Sequence, residues 1–266
     1  MSQTLNDIST APVRPNFPKG LYGITPDWHD IEKLDNAIHA AASGGMQVVQ
    51  LRLKTVEPST RLAFAQRLMQ SCQRLGVLFI LNDDWRMVQT LMGLDATYQG
   101  LTSQVNVPGL NRQSLIGAHI GRDDGNSKSV RAALGYNVVL GVSCYDDLDR
   151  AIAATQPIEQ MGPTVDYVAF GAMFASQTKP GAPSAGLTTL TQARQHWQHQ
   201  ANRPTIVAIG GITLENVAQV VQAGADSIAV SGSLFLSANI EQTARKFSEK
   251  IHEYSHTTLT GAPPHD

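Results

Sequence analysis

The sequence has little cysteine, few aromatic residues and little charge of either sign. Among its 266 residues there are 2 cysteines, 6% aromatic and 16% charged residues, and the formal net charge is -2. Two cysteines, Cys72 and Cys144, cannot form a disulfide framework and fit a reducing compartment. A weakly negative chain offers no basic surface to nucleic acid or an anionic membrane, and so few aromatic residues leave little for base stacking.

Long apolar runs are missing as well. No run approaches the roughly 20 apolar residues of a membrane helix, and residues 1–19 lack the apolar core of a secretory signal. We expect residues 1–19 and 255–266 to be disordered polar tails on one folded unit, residues 20–254. We also expect a cytoplasmic protein without nucleic-acid or membrane partners.

The sequence does have short apolar runs that alternate with longer amphipathic stretches. Eight runs are typical of strands covered by helices on both faces: 21–25, 47–51, 77–81, 115–120, 137–142, 166–170, 205–209 and 226–230. Stretches of helical spacing lie between them, as in Pro58–Leu75, and end on glycine. Eight such units predict an α/β protein with a single-domain (β/α)8 TIM barrel. The alternative, an open doubly wound sheet, lacks its usual G-x-G-x-x-G motif here.

The residues that follow each run are the candidate site, because active sites of such barrels lie where strands end and helices begin. After the second run, strand alternation places Gln50, Arg52 and Lys54 on one side and Leu53 on the other. Two cations and an amide suit a polyanion such as a diphosphate, with arginine as a planar fork and lysine as a point charge. The alternative is a pair of solvated charges.

Acidic residues follow the third and fourth runs. Asn82, Asp83 and Asp84 follow the third run, and Asp123 and Asp124 follow the fourth. Carboxylates on neighbouring strand ends suit Mg²⁺, which prefers oxygen ligands and is usually shared with substrate phosphates. The alternative for the first group is a helix N-cap, and one residue can cap while another binds metal.

Glycine turns follow the seventh and eighth runs, at Gly210-Gly211 and Ser231-Gly232. Glycine lets backbone amides approach an anion, and the N-termini of the helices that follow favour negative charge. Turns after these two strands form the usual phosphate site of the barrel. The alternative is that both turns need glycine only for a positive φ.

The loop after the sixth run reads AFGAMFASQTKPGAP over residues 169–183. It sets Ser176, Thr178 and Lys179 among small residues and prolines. Two hydroxyls and an ammonium exceed what a simple connector needs, so this loop is a candidate binding element.

Two further polar residues carry weak signals. Ser143 follows the fifth run, and a single serine there says little by itself. His119 lies inside the fourth run, and we expect it to be a packed core residue without a role in a catalytic triad.

These stretches, in this order and spacing, resemble the thiamine phosphate synthase family over nearly the whole barrel. The matching stretches are LYGITPD, GMQVVQLRLK, FILNDDW, AHIGRDD, LGVSCY, DYVAFGAMFASQTKPGAPSAGL and VAIGGITLENVAQVVQAGADSIAV. The resemblance implies a barrel that uses Mg²⁺ to join a hydroxymethylpyrimidine diphosphate to a hydroxyethylthiazole phosphate. The products would be thiamine phosphate and diphosphate, so the partners would be small phosphorylated molecules.

By position, the resemblance also implies roles for the candidate residues. On the pyrimidine diphosphate it places Gln50, Arg52, Lys54, Asn82 and Lys179. On Mg²⁺ it places Asp83 and Asp124, on the pyrimidine side Ser143, and on the thiazole phosphate Ser176, Thr178, Gly211, Ser231 and Gly232. The residues expected to take part in the chemistry itself are Lys179, Arg52, Lys54 and Ser143.

Two other functions stay open at this point. The thiazole tautomerase relative shares the barrel and the glycine turns but does not need the residues that bind the diphosphate. A non-catalytic regulator that binds thiazole or thiamine phosphate is supported mainly by an insertion of about 20 residues near residues 95–114. The synthase is favoured by the joint presence of the residues expected on the diphosphate and on Mg²⁺: Arg52, Lys54, Asn82, Asp83, Asp124 and Lys179.

The insertion has two parts. Residues 95–100, DATYQG, compete with AHIG as the fourth strand. Residues 101–113 are rich in turn formers and carry a single charge, Arg112. Because the insertion leads into the fourth strand, we expect it on the N-terminal face of the barrel, opposite the site. It is therefore predicted to be peripheral and a candidate contact in a homo-oligomer.

Replacing residues 101–113 with a short Gly/Ser turn should preserve the synthesis of thiamine phosphate, at some cost in stability. Circular dichroism and a cooperative melt would check that the shortened protein folds. A folded variant that makes no thiamine phosphate would place the insertion in the site and favour the regulator.

Overall fold

The computed structural model describes residues 17–94, 115–158, 162–175 and 185–260, without the side chains of 93, 94 and 256–260. Eight strands are found in these residues. They are β1 Gly20–Ile24, β2 Val48–Leu51, β3 Leu78–Asn82, β4 Ile116–Ile120, β5 Val139–Tyr145, β6 Tyr167–Phe170, β7 Thr205–Ile209 and β8 Ser227–Val230. The strands are parallel and pair in chain order, and β8 closes onto β1. The predicted single-domain barrel is thus confirmed.

Helices cover the outside of the barrel. Those in the described residues are α1 Ile31–Ser43, α2 Pro58–Leu75, α3 Trp85–Leu94, α4 Ser127–Leu134, α5 Leu148–Thr155, α6 Gly186–Trp197, α7 Val217–Gln222, α8 Gly232–Phe235 and α9 Ile240–Thr260. Each of α1 to α7 follows the strand of the same number. None of these helices combines the length and the apolar character that a membrane crossing requires.

The predicted elements agree with the structure in most places. Helix α2 has the predicted bounds and ends at Gly76, whose φ of 70° is the left-handed conformation of a helix C-cap. Strand β4 contains the AHI of AHIG and ends before Gly121, so this stretch supplies the fourth strand of the closed barrel. Strand β5 continues past the predicted end at residue 142 and includes Ser143. The insertion near residues 95–114 lies outside the described residues.

Side chains alternate between two apolar layers along the strands. One layer lies between the strands and the helices, and the other fills the barrel, with members such as Tyr22, Ile80, Val139 and Tyr167. Space inside the barrel is tight, since a Cβ atom on Gly141 would overlap the Tyr167 ring. The interior is therefore a packed core and not a channel, as in other barrels of this type.

Phe17 closes the N-terminal end of the barrel. Its side chain is 2% exposed, and its ring centroid lies 4.1 Å from that of Tyr167 and 5.7 Å from that of Tyr22. Thr205 Oγ1 donates a hydrogen bond to its carbonyl oxygen. Our prediction that residues 1–19 form a tail is therefore wrong for residues 17–19. The reason is that inner side chains at this end would otherwise face water.

The C-terminal tail was also predicted to start too early. Helix α9 runs to Thr260, although we expected a tail from residue 255. Ala244, Phe247 and Ile251 are buried on the inner face of this helix. The helix is long because this apolar face covers α1 and α7.

Buried ion pairs lie at the strand starts. Asp226, just before β8, accepts hydrogen bonds from both terminal nitrogens of Arg203 and from the Ile206 N–H. Burial alone would raise the pKa of the Asp226 carboxyl, but the hydrogen bonds and charge of Arg203 outweigh burial and lower it. Arg131 is fully buried and donates to Asp166 at 2.6 Å. These charges are matched and serve the fold.

Removing the Phe17 ring should destabilise the barrel. The Phe17→Ala variant leaves a cavity against Tyr22 and Tyr167, and such truncations cost about 3–5 kcal/mol. Urea unfolding should show this loss as a lower midpoint at an unchanged slope, with Phe17→Leu retaining part of the stability. An unchanged midpoint for Phe17→Ala would show that residue 17 does not belong to the core.

Candidate active site

Polar side chains from six strands meet inside the barrel, below its C-terminal mouth; Tyr167 starts β6 and Tyr22 lies in the middle of β1, so their hydroxyls contact residues nearer the strand ends. Gln50, Asn82, His119 and Ser143 come from β2, β3, β4 and β5, and Tyr22 and Tyr167 come from β1 and β6. The parallel register aligns Asn82 with His119 and His119 with Gly141. The sequence placed Gln50, Asn82 and Ser143 here, and the structure adds the other three residues.

Backbone hydrogen bonds, and not its two cationic side chains, hold the segment after β2 in place. Arg52 N–H donates to Thr25 Oγ1 at 3.0 Å, and Lys54 N–H donates to Asp27 Oδ1 at 3.1 Å. Leu53 is buried in the outer apolar layer, on the side that strand alternation predicts. The Lys54 Nζ atom lies 3.7 Å from Asp83 Oδ2, and both side chains are half-exposed. A cation and a carboxylate thus meet at the mouth of the barrel.

Asp83 and Asp124 form a carboxylate pair. Asp83 adopts a left-handed φ of 66°, which is rare for a residue other than glycine and turns it out of the strand direction. Asp124 Oδ2 accepts a hydrogen bond from Gly121 N–H at 2.6 Å. Burial, together with the charge of Asp83 and a hydrogen bond to it, raises the pKa of Asp124 above its usual value. Two acids that repel each other in this way are stabilised by a shared cation.

Asp84 has a different role from its neighbour. Its Oδ1 accepts a hydrogen bond from Met87 N–H at 3.0 Å and so caps the first turn of α3. The helix-cap reading is therefore correct for Asp84, while Asp83 faces Asp124 and stays a predicted metal ligand. The indole N–H of Trp85 donates to the Asp124 carbonyl at 3.1 Å and fixes the segment that carries this acid.

The donor set fits a hard divalent cation. Two carboxylates at the protein surface, with room for water and substrate oxygens, are typical of Mg²⁺ sites. In the described residues, no three or more histidine, cysteine, aspartate or glutamate side chains are grouped so that they could hold a metal ion. A softer metal that needs an all-protein set of nitrogen or sulfur ligands would fit poorly here.

A chain of hydrogen bonds crosses the barrel below the mouth. Gln50 Nε2 donates to Asn82 Oδ1 at 2.7 Å, and Tyr22 OH donates to Gln50 Oε1 at 3.0 Å. The Tyr22 and Tyr167 hydroxyls are 3.1 Å apart, and the Tyr167 hydroxyl is 2.9 Å from His119 Nδ1. This chain reaches Asn82 at one end.

His119 connects the same chain to Ser143. Its Nε2 atom lies 2.8 Å from Ser143 Oγ. Burial lowers the pKa of His119 to about 4, against a weaker opposite effect of Asp124, so the ring is neutral near pH 7. The expected packed histidine is thus also a partner of a site residue. Strand alternation could have shown this, because His119 lies two residues before Gly121, at the strand end.

Arg150 is a second residue that the sequence did not reveal. From α5 its Nε donates to the Ser143 carbonyl at 2.9 Å, and Nη2 donates to the Gly121 carbonyl at 3.3 Å. The guanidinium thereby joins the ends of β4 and β5. It fixes the distance between the Asp124 segment and Ser143.

The glycine turn after β7 is required by its backbone and by its surroundings. Gly210 and Gly211 have φ values of 96° and 67°. A Cβ on Gly210 would lie 2.7 Å from the Ala172 Cα, and one on Gly211 would lie 2.6 Å from the Phe174 carbonyl oxygen. Asn216 holds this turn, since its Nδ2 donates to the Gly211 carbonyl at 3.0 Å.

The turn after β8 differs, because space around it is open. A Cβ on Gly232 would contact only Leu236, at 3.7 Å. Ser233 Oγ donates to the Ile212 carbonyl and ties this turn to the one after β7. Within the described parts of the chain, no backbone carbonyl accepts from the N–H of Gly211 or Gly232. Two neighbouring turns thus present amides to the mouth of the barrel, beside Ser231.

The loop after β6 starts beside these turns. Met173 N–H donates to the Ile209 carbonyl at 2.9 Å, and Phe174 N–H donates to the Gly210 carbonyl at 3.1 Å. The predicted site residues Ser176, Thr178 and Lys179 lie outside the described residues.

Solved structures share this barrel. A thiamine phosphate pyrophosphorylase from Pyrococcus furiosus superposes with a TM-score of 0.66 at 21% identity, over 88% of this chain and 96% of that one. An orotidine 5'-phosphate decarboxylase from Pyrococcus horikoshii superposes with a TM-score of 0.58 at 14% identity, over 87% of this chain and 99% of that one. At such low identity these similarities support the fold alone.

Sequence comparisons are more specific. A family model described as thiamine monophosphate synthase matches residues 21–234. The thiamine-phosphate synthase of Bordetella pertussis is 46% identical over 230 residues, which cover 86% of this chain and 93% of that protein. That of Methylobacillus flagellatus is 39% identical over 231 residues, which cover 87% and 94%. The chain therefore belongs to the thiamine monophosphate synthase family.

Proposed function

We propose that this chain is a transferase of thiamine biosynthesis that joins hydroxymethylpyrimidine diphosphate to hydroxyethylthiazole phosphate, releasing diphosphate. The observation that carries the proposal is the cluster of Lys54, Asp83 and Asp124 at the barrel mouth. An acid pair with a cation beside it serves a reaction in which a strongly anionic group must be bound and released.

The diphosphate of the pyrimidine substrate is assigned to the β2 and β3 ends. Arg52 and Lys54 supply positive charge from a segment whose backbone is already held by Thr25 and Asp27. Asn82 keeps its amide N–H groups available, because its oxygen already accepts from Gln50. Gln50 would contribute through the Asn82 amide that it holds, and Lys179 would bind the diphosphate from the loop after β6.

Mg²⁺ is the proposed cofactor, held by Asp83 and Asp124. Bound there, it would neutralise negative charge on the diphosphate and so make that group a better leaving group. The protein's own contribution is to keep two carboxylates close together; burial, and then the charge of Asp83, raise the pKa of Asp124 as a result. Arg52, Lys54 and Lys179 add to the same neutralisation.

The phosphate of the thiazole substrate is assigned to the opposite side of the mouth. The amides of Gly211 and Gly232, with Ser231 beside them, would donate to this phosphate from two linked turns. Ser176 and Thr178 would contribute hydroxyls from the loop. The proposal for this loop is supported by its first residues, since Met173 and Phe174 are hydrogen-bonded to Ile209 and Gly210 at the glycine turn.

No general base is needed if the pyrimidine ionises to a carbocation that the thiazole nitrogen captures, as the family resemblance implies. In agreement with this, His119 is neutral and both of its ring nitrogens have partners within the barrel. The work of the protein is then positioning and electrostatic stabilisation. Ser143 contributes by contacting the pyrimidine.

The decisive test is incubation of the purified protein with both precursors and Mg²⁺, followed by detection of thiamine phosphate. Calorimetry with each precursor distinguishes the synthase from the two alternative functions, a thiazole tautomerase and a non-catalytic regulator. A synthase binds the pyrimidine diphosphate tightly only with Mg²⁺, whereas a thiazole tautomerase or a regulator of the same family has no such requirement.

Neutralising Asp124 should weaken the response to Mg²⁺. Asp124→Asn keeps the volume but removes one charge, so the Mg²⁺ concentration for half-maximal rate should rise about 10- to 200-fold. The melting temperature without Mg²⁺ should not fall, because repulsion with Asp83 is relieved. Asp123→Asn, at the exposed neighbouring residue, is the matched control and should have little effect. Asp95→Asn, in the alternative fourth-strand stretch DATYQG, should also have little effect. An equal effect of all three changes would contradict the assignment.

Removing the loop cation should slow turnover and leave the fold intact. Lys179→Ala deletes a charge-assisted contact to the diphosphate, which is worth about 1.5–3 kcal/mol, or about 10- to 200-fold in rate. Steady-state rates and a thermal melt measure both parts of this expectation. Activity within about twofold of the unchanged protein would remove Lys179 from the mechanism.

A further inference from the structure

The hydrogen-bond chain across the barrel has a direction, because each of its links holds a single proton. Tyr22 gives its hydroxyl proton to Gln50 Oε1, which can only accept. The proton between Tyr22 and Tyr167 must then come from Tyr167. Since the Tyr167 proton is used in this way, the proton between Tyr167 and His119 must come from Nδ1 of the ring.

The tautomer of His119 decides the state of Ser143. A neutral ring with its proton on Nδ1 has only a lone pair on Nε2, so Ser143 Oγ must donate its proton to that atom. The lone pairs of Ser143 are then directed at the site. At the opposite end, Gln50 donates to the Asn82 oxygen, which leaves the Asn82 N–H groups for a ligand.

Burial makes this order an all-or-none property. Tyr167 is fully buried, and Tyr22 and Gln50 are 1% and 3% exposed. A donor without a partner in such a place costs free energy, so reversing one link forces the next link to reverse. The only other fully paired arrangement is the complete reversal, with the His119 proton on Nε2 and the Ser143 proton directed outward.

We propose that the relay Gln50–Tyr22–Tyr167–His119 fixes Ser143 as a hydrogen-bond acceptor, and so selects a heterocycle that presents an N–H group at that point. The inference rests on the proposed function and deepens it. Tyr22, Tyr167 and His119 are positioning residues, since they act through Ser143. The orientation of the Gln50 amide therefore has two effects. It leaves the Asn82 N–H groups free to donate to phosphate oxygens, and through the relay it makes Ser143 an acceptor for the heterocyclic ring.

The first test reads the tautomer and needs no substrate. The chain has 8 histidines, and a full-length sample labelled with ¹⁵N-histidine gives the protonated nitrogen of each by ¹H–¹⁵N correlation. His119 is assigned as the signal that is lost in His119→Gln. We expect the proton on Nδ1. A proton on Nε2 in the unchanged protein would overturn the proposal.

Two remote changes should reverse the relay. Tyr22→Phe and Gln50→Leu each remove an acceptor without touching His119, so Tyr167 should turn its proton to Nδ1 and His119 should move to the Nε2 tautomer. Gln50→Glu keeps the acceptor for Tyr22 and should leave the proton on Nδ1, as should Tyr254→Phe in α9. Circular dichroism checks each fold, and either remote variant alone suffices. An unchanged tautomer in a folded remote variant would overturn the proposal.

The second test separates ring recognition from diphosphate binding. In Tyr22→Phe the KM for hydroxymethylpyrimidine diphosphate should rise about tenfold, while the inhibition constant of inorganic diphosphate with Mg²⁺ should stay within about twofold. Equal increases in both constants would mean a general structural defect and would overturn the positioning role. If the unchanged protein makes no thiamine phosphate, the proposed function fails, but the tautomer measurement still decides the relay.

Discussion

A polar group buried inside a closed barrel cannot form hydrogen bonds with water, so it must be paired with a polar group on another strand. This constraint explains the contacts that the core makes. The hydroxyls of Tyr22 and Tyr167 lie between apolar neighbours and are paired with each other. His119 uses both ring nitrogens, and Gln50 uses both amide atoms. Unpaired groups at such depth would cost the fold more than most single contacts contribute.

The two ends of the barrel treat charge in opposite ways. At the strand starts, Arg203 lowers the pKa of Asp226, so the pair stabilises the folded state. At the strand ends, burial and the neighbouring Asp83 raise the pKa of Asp124, and Asp83 itself has an uncommon backbone conformation. A site that must bind a cation and an anion retains such unfavourable features, and the matched charges elsewhere offset their cost.

Features that depend on local sequence could be predicted, and features that depend on long-range pairing could not. The bounds of α2, the outward side of Leu53 and the cap formed by Asp84 follow from helical spacing, strand alternation and residue type. Tyr22 and Tyr167 are 145 residues apart in the chain, and nothing near either of them indicates the other. Arg150 reads as a helix residue like any other until β4 and β5 are placed beside it.

The closeness of Gly141 and Tyr167 has an evolutionary consequence. The Tyr167 ring occupies the space that the Cβ atom of any other residue at position 141 would need. The two positions, on neighbouring strands, therefore compete for the same volume. A larger residue at 141 is compatible with the barrel only after the ring has been lost. In relatives the two positions should therefore covary. A lineage with a larger side chain at position 141 also loses the Tyr167 hydroxyl, which links Tyr22 to His119 across the barrel.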